Sequence, residues 1–262
     1  MADPNSSSLS PAAVAGPQGA EVLPLFYKKP RPLDRERDKD LHISRPKDFR
    51  FAEKTNAIPL LADEFPMAAA WFPIVFASGP TPVPAVVVGL NADSNLAIDP
   101  ATGQWREGAY IPAYVRRYPF ILMDDPDHKQ FVLCLDEETD MIGPQGEFSL
   151  FEKGEPTPFT QGVIEFCGLL KQQGDATEEF VKALQEHQLL IPGDQIPGLP
   201  EGAKMPVTGF LVVDPRKFEA LPDNVFLTWR RKGWAGFVYA HMLSAQRWVN
   251  LALLDQEVRT KK

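Results

Sequence analysis

The chain has 262 residues, 44% of them hydrophobic, with a formal net charge of −8 and an isoelectric point near 5.1. These values describe a globular protein with a sizeable core and one large or two small domains. The overall field repels phosphate backbones and anionic lipid, so nucleic acid is not an expected partner.

Residues 1–22 are rich in Ser, Ala, Pro and Gly. They carry neither the basic start nor the apolar run of a secretory signal and are read as a disordered tail. One domain is expected over residues 23–255, followed by a flexible tail, 256–262. No stretch approaches 18 uninterrupted apolar residues, so membrane insertion is not expected. Cys134 and Cys167 lie inside apolar runs with no Cys or His at ligand spacing. They read as small buried hydrophobes in a soluble protein of the reducing cytoplasm.

Residues 30–37 mix proline with basic side chains and suggest an extended arm or a solvated loop. From there to Cys134 the apolar runs are short, β-branched and bounded by turn residues: 58–61, 74–76, 85–90, 96–98, 120–123 and 131–135. That pattern predicts strands. Turns at 90–95 and 124–128 would close two hairpins, and hence build an antiparallel sheet. Within this half, Asp63 is placed to cap a helix whose apolar stripe, Phe65, Ala68, Ala69 and Phe72, ends at Pro73.

After Pro158 the period becomes helical. Phe159, Val163, Phe166, Cys167 and Leu170 recur at three and four residues. Gly174 and Asp175 suggest a break, with Thr177 capping a second helix that carries Phe180, Val181 and Leu184. Residues 192–206 read as an irregular loop and 207–213 as a strand. Asp214 and Pro215 then open a short helix. Residues 234–254 read as one long helix, apolar on two sides, that is either central or half of a homodimer contact. With helices following strands instead of alternating with them, the fold class is α+β. The antiparallel sheet comes mainly from the N-terminal half and the helices mainly from the C-terminal half.

The densest chemistry lies in residues 110–120. Tyr110, Tyr114 and Tyr118 recur every four residues beside Arg116 and Arg117, between Pro112 and Pro119. On a short helix the three rings would share one side. Two readings follow: the arginines clamp an anion while the tyrosines enclose the rest of the ligand, or the segment is a rigid connector with its arginines in solvent. The connector reading is preferred.

Elsewhere, Asp136 at the end of an apolar run and His241 on the last helix are the possible acid/base residues. The turn Asp124, Asp125, Pro126, Asp127 and His128 reads as a polar hairpin tip, without the spacing of a calcium loop, so no metal is expected. No nucleophile elbow, Walker loop or dinucleotide glycine fingerprint occurs, and no cofactor is expected.

Several of these segments together resemble the SapC family of bacterial proteins. They are Leu25, Phe26 and Tyr27; Ile58, Pro59 and Leu60 with Glu64 and Phe65; Phe72, Pro73, Ile74, Val75 and Phe76; and Tyr114 through Phe120 with Arg116 and Arg117 between. Gly209, Phe210, Leu211, Val212, Val213 and Asp214, and finally Tyr239, Ala240 and His241, complete the resemblance. It implies genomic neighbours such as TonB-dependent receptors, tryptophan halogenase-like flavoproteins and cupin-like oxygenases, and it brings no established catalytic residue. The function expected is an accessory or binding protein for a peptide or small anionic metabolite in an uptake or modification pathway. The alternatives are an enzyme using acidic and histidine residues, or a self-associating interaction protein.

Overall fold

The computed structural model describes residues 7–8, 23–125, 130–193 and 207–260. In chain order the main elements are β1 (Pro30–Pro32), β2 (Ala57–Pro59), α1 (Phe65–Ala68), β3 (Ile74–Ala77), β4 (Val83–Val87), α2 (Ala113–Arg116), β5 (Phe120–Asp125) and β6 (Gln130–Asp136). They are followed by α3 (Pro158–Glu186), β7 (Leu190–Pro192), β8 (Phe210–Val213), α4 (Pro215–Glu219), α5 (Asp223–Arg231), α6 (Trp234–Ser244) and α7 (Arg247–Thr260). Two antiparallel sheets result. One has the order β7-β8-β3-β4-β2 and the other β1-β6-β5. The fold is α+β, with its strands mostly from the N-terminal half and its helices mostly from the C-terminal half.

The five-stranded sheet is covered on both faces, which explains why β3 is buried at every position. Side chains alternate along a strand. Ile74 and Phe76 join Phe65, Phe180 and Val238 in the largest core, while Val75 joins Phe210 and Leu251 on the opposite face. A third cluster, including Tyr27, Tyr118, Phe120, Leu135 and Cys167, fills the three-stranded sheet. Phe26 and Phe51 pack against both the largest core and this one, so the two sheets share a continuous interior.

Sequence periodicity misjudged three places. Residues 158–186 form one helix, capped by Thr157, whose hydroxyl accepts from the Thr160 N–H at 3.3 Å. Gly174 does not break it. A helical glycine costs about 1 kcal/mol, less than the burial of Phe180, Val181 and Leu184 beyond it returns. Thr177 is not a cap either: its hydroxyl donates to the Gln173 carbonyl and accepts from the Ala62 N–H at 3.0 Å, tying α3 to the turn before α1. Conversely, residues 234–254 are not one helix. The chain bends at Ala245 and Gln246 so that α6 covers one face of the large sheet and α7 the other, where Trp248 stacks on Phe210. The two-sided apolar pattern belongs to two helices on two faces.

The third is the hairpin expected over 85–98. β4 pairs instead with β3 and β2, and Leu96 keeps only an N–H bond to the Val88 carbonyl. The helix expected from Asp63 is a single turn, and Glu64, not Asp63, closes it by accepting the Leu61 N–H at 3.0 Å. The other hairpin forms as β5 and β6, although the tip of its turn, 126–129, lies outside the described residues. Gly209, at φ +80°, divides the strand expected over 207–213. In the expected tail, Ser7–Ser8 pairs in parallel with Val207–Thr208. α7 continues to Thr260. α5 escaped sequence reading although Pro222 stands at its start and Phe226 and Trp229 turn inward.

Candidate functional site

The segment from Tyr110 to Phe120 carries the chain from the largest core to the core of the three-stranded sheet: Val115 belongs to the first, Tyr118 and Phe120 to the second. Because α2 is only one turn long, the three tyrosines do not share a face. The Tyr110 hydroxyl donates to Glu64 Oε1 at 2.7 Å. Tyr114 packs edge-on against Phe26. Tyr118 turns into the second core, stacks on Phe51 at 4.2 Å, and donates to Asp136 Oδ2 at 3.0 Å.

Glu64 holds this connector in place. Its carboxylate is buried and accepts from the Tyr110 hydroxyl, the Ala113 N–H at 2.7 Å and the Leu61 N–H. Sequence reading gave Glu64 no such role. The available signal was a glutamate three residues after the turn's first residue, the spacing of a reaching-back cap.

The two arginines face apart. Arg116 lies over Phe166 at 5.5 Å, donates to the Ile111 carbonyl at 3.1 Å and stands 3.9 Å from Glu64, with 46% of its side chain in solvent. Arg117 turns inward. Its guanidinium lies 3.9 Å from the centre of the Tyr114 ring and 5.8 Å from that of Tyr27, and its buried Nε finds no hydrogen-bond partner among the described residues. Burial raises the pKa of both tyrosines, against a smaller opposing pull from Arg117. Both phenols are therefore neutral near pH 7, and neither supplies a counter-charge to the guanidinium.

Arg117 lines two adjoining cavities between the connector and α3. One, of about 220 Å³, is walled mainly by apolar side chains such as Leu60, Pro82, Pro84 and Val181. The other, of about 260 Å³, is bordered by Leu122 of β5 and by Cys167, Leu170 and Gly174 of α3. Both include Leu61, Leu170, Gly174 and Glu178. Burial pushes the Cys167 thiol up to about 11, so it stays protonated and unreactive. A larger groove of about 920 Å³ lies between Trp71, Trp105 and α7. Its arginines are engaged: Arg106 Nε donates to the Leu96 carbonyl at 2.6 Å, and Arg247 Nε to the Ala69 carbonyl at 3.3 Å.

The acid/base candidates lie in different cores and line none of these cavities. Asp136 is fully buried and accepts the Lys28 and Lys29 N–H groups at 3.2 and 2.7 Å as well as the Tyr118 hydroxyl. This clamps the N-terminal arm, where β1 pairs with β6 and Arg31 bonds Asp38 and Glu137. His241 packs on Phe76 in the largest core, and its Nε2 accepts from the Val213 N–H at 3.1 Å. Pro126, Asp127 and His128 of the acidic turn lie outside the described residues. No group of metal-ligating side chains occurs among the described residues, and no helix there is long and apolar enough to cross a membrane.

The model of the SapC family matches residues 33–251. This chain belongs to the SapC family. The matched span takes in the five-stranded sheet, β5 and β6 of the other, the connector and its arginines, and the first five residues of α7, and it includes every residue that lines the Arg117 cavities. No curated protein and no solved structure gives a significant match.

Proposed function

We propose that this SapC protein is a binding protein, acting in an uptake or modification pathway, that takes a peptide or small anionic metabolite at Arg117. One observation carries the reading: a guanidinium set among neutral aromatic rings, its Nε unpartnered among the described residues, at the junction of two cavities. A planar cation so placed suits a carboxylate or phosphate, which it can grip bidentately. The apolar wall suits an adjoining hydrophobic body.

The test is thermal melting against acetate, benzoate, inorganic phosphate and free-carboxylate peptides. A ligand at a hundred times its Kd stabilises by about 2.7 kcal/mol, a rise of several degrees for a chain of this size. Arg117→Ala is expected to fold, with a stability change within about 2 kcal/mol, the range of a lost cation–π contact, and to abolish that rise. A panel in which nothing raises the melting temperature, or a rise that persists in Arg117→Ala, overturns the proposal.

A second reading, a homodimer through the C-terminal helices, draws on Leu243, Val249 and Leu253, each more than 60% exposed on α6 and α7. Large apolar side chains left in solvent mark interfaces where they gather into a patch. Light scattering is then expected to give twice the chain mass, reverting to one chain mass in Leu243→Glu/Leu253→Glu; one chain mass at every concentration removes the reading.

A further inference from the structure

β5 is an edge strand, since the second sheet runs β1-β6-β5 and no described strand pairs with its outer side. The register decides which of its groups face outward. The Asp136 N–H donates to the Pro119 carbonyl at 3.0 Å, directly across the ladder. In an antiparallel pair, residues bonded to the neighbour alternate with residues that point away. Ile121 and Met123 therefore spend their backbone groups on β6, and Phe120, Leu122 and Asp124 turn theirs outward. β6 agrees: Leu133, opposite Leu122, faces the other way and accepts the Leu33 N–H.

Phe120 is already satisfied, its N–H by the Arg117 carbonyl and its own carbonyl by the Tyr27 hydroxyl at 2.5 Å. The outward N–H and C=O of Leu122 and Asp124 have no backbone partner among the described residues. Leu122 borders the cavity whose wall also includes Arg117 and residues of α3.

We propose that an extended peptide adds to β5 as a further antiparallel strand in this groove, with its C-terminal carboxylate on Arg117 and its last side chain in the 220 Å³ apolar cavity. This rests on the reading of Arg117 as an anion site and names the ligand class. The polarity of the strand favours it. β5 runs away from Arg117, so an antiparallel partner runs toward it and delivers its C-terminus there. The guanidinium favours it as well, because a terminal carboxylate can accept from the buried Nε, which has no hydrogen-bond partner among the described residues. Backbone bonds to Leu122 and Asp124 supply affinity for any sequence, and the apolar cavity selects the terminal side chain.

A randomised tetrapeptide library is titrated in three forms: with a free carboxylate, with a C-terminal amide, and with each backbone amide N-methylated in turn. Free-carboxylate members are expected to bind, amidation to weaken them at least tenfold, and methylation to weaken them at least tenfold at one position, the amide facing the Leu122 carbonyl. Leu122→Pro removes the outward N–H while sparing the ladder bonds of Ile121 and Met123, and is expected to weaken the same peptides. If amidation matters and methylation nowhere does, strand addition is overturned and the anion site stands. If no library member binds while benzoate or phosphate binds through Arg117, the peptide class alone is overturned. If neither library nor small anions bind, both readings fall.

Discussion

Asp136→Ala is expected to lower the stability of the protein by about 3–5 kcal/mol, the cost of removing a buried charge-assisted acceptor and leaving its donors without a partner. Asp136 is 0% exposed, and two of its three donors are backbone N–H groups of Lys28 and Lys29, which no compensating side-chain substitution can withdraw. Asp136→Asn keeps the volume but places an NH₂ group where donors converge, so most of the loss should persist. Tyr118→Phe removes only the third donor and should cost about 1 kcal/mol. Urea unfolding of the three variants measures these differences. The double variant Tyr118→Phe/Asp136→Ala should cost less than the sum, because the residues share a bond. An unmoved urea midpoint in Asp136→Ala would show that the carboxylate does not hold the arm.

The local grammar of this chain was legible wherever one short-range effect decided. Thr157 with Pro158, and Asp214 with Pro215, open helices as their residue types require. Of the short β-branched runs all but 96–98 became strands, and the runs around 124–128 became β5 and β6. Legibility failed where burial from afar outweighed a local signal. Gly174 read as a stop, but the side chains beyond it have a core to enter, and α3 runs through. Ala245 and Gln246 carry no breaker at all. The bend exists because Trp248 and Leu251 belong to the opposite face of the sheet from Val238, and nothing in local sequence states that a sheet lies between them. For the candidate site, the segment Tyr110 to Phe120 was the right place to look, but four-residue spacing implied a shared face that a one-turn helix does not provide. Only the fold separates Arg116, over Phe166, from Arg117, in the cleft. The cavity wall contributed by α3, fifty to sixty residues away in sequence, has no signature near the connector.

Between pH 7.5 and pH 4 the protein is expected to lose about 3 kcal/mol of stability through His241 alone. Burial pulls this imidazole down to about 4, against a smaller opposing pull from the Ile74 backbone. The same group in the unfolded chain titrates near the ordinary 6.5. Below pH 6.5 the unfolded chain therefore binds a proton that the native protein refuses, and stability falls with pH until the native imidazole also protonates near 4. The contribution is complete above about 6.5, and 2.5 pH units of difference correspond to the quoted ~3 kcal/mol.

The Val213 N–H adds a structural consequence: Nε2 must keep its lone pair to accept that bond, so protonation there breaks a tie between α6 and β8 as well as charging the core. Asp38 acts in a different window. Burial raises its pKa, but hydrogen bonds from Arg31, Arg37 and the Asp34 N–H outweigh burial and hold it at about 2, so its contribution is complete above about 4 and lost only below. Urea midpoints measured at half-unit intervals should thus show a decline from pH 6.5 that His241→Gln flattens, because glutamine can still accept from Val213 but takes up no proton. A decline of unchanged size in His241→Gln would assign it to other groups. Binding through Arg117 should not follow this decline while the protein remains folded, because His241 lines neither of the cavities that Arg117 joins.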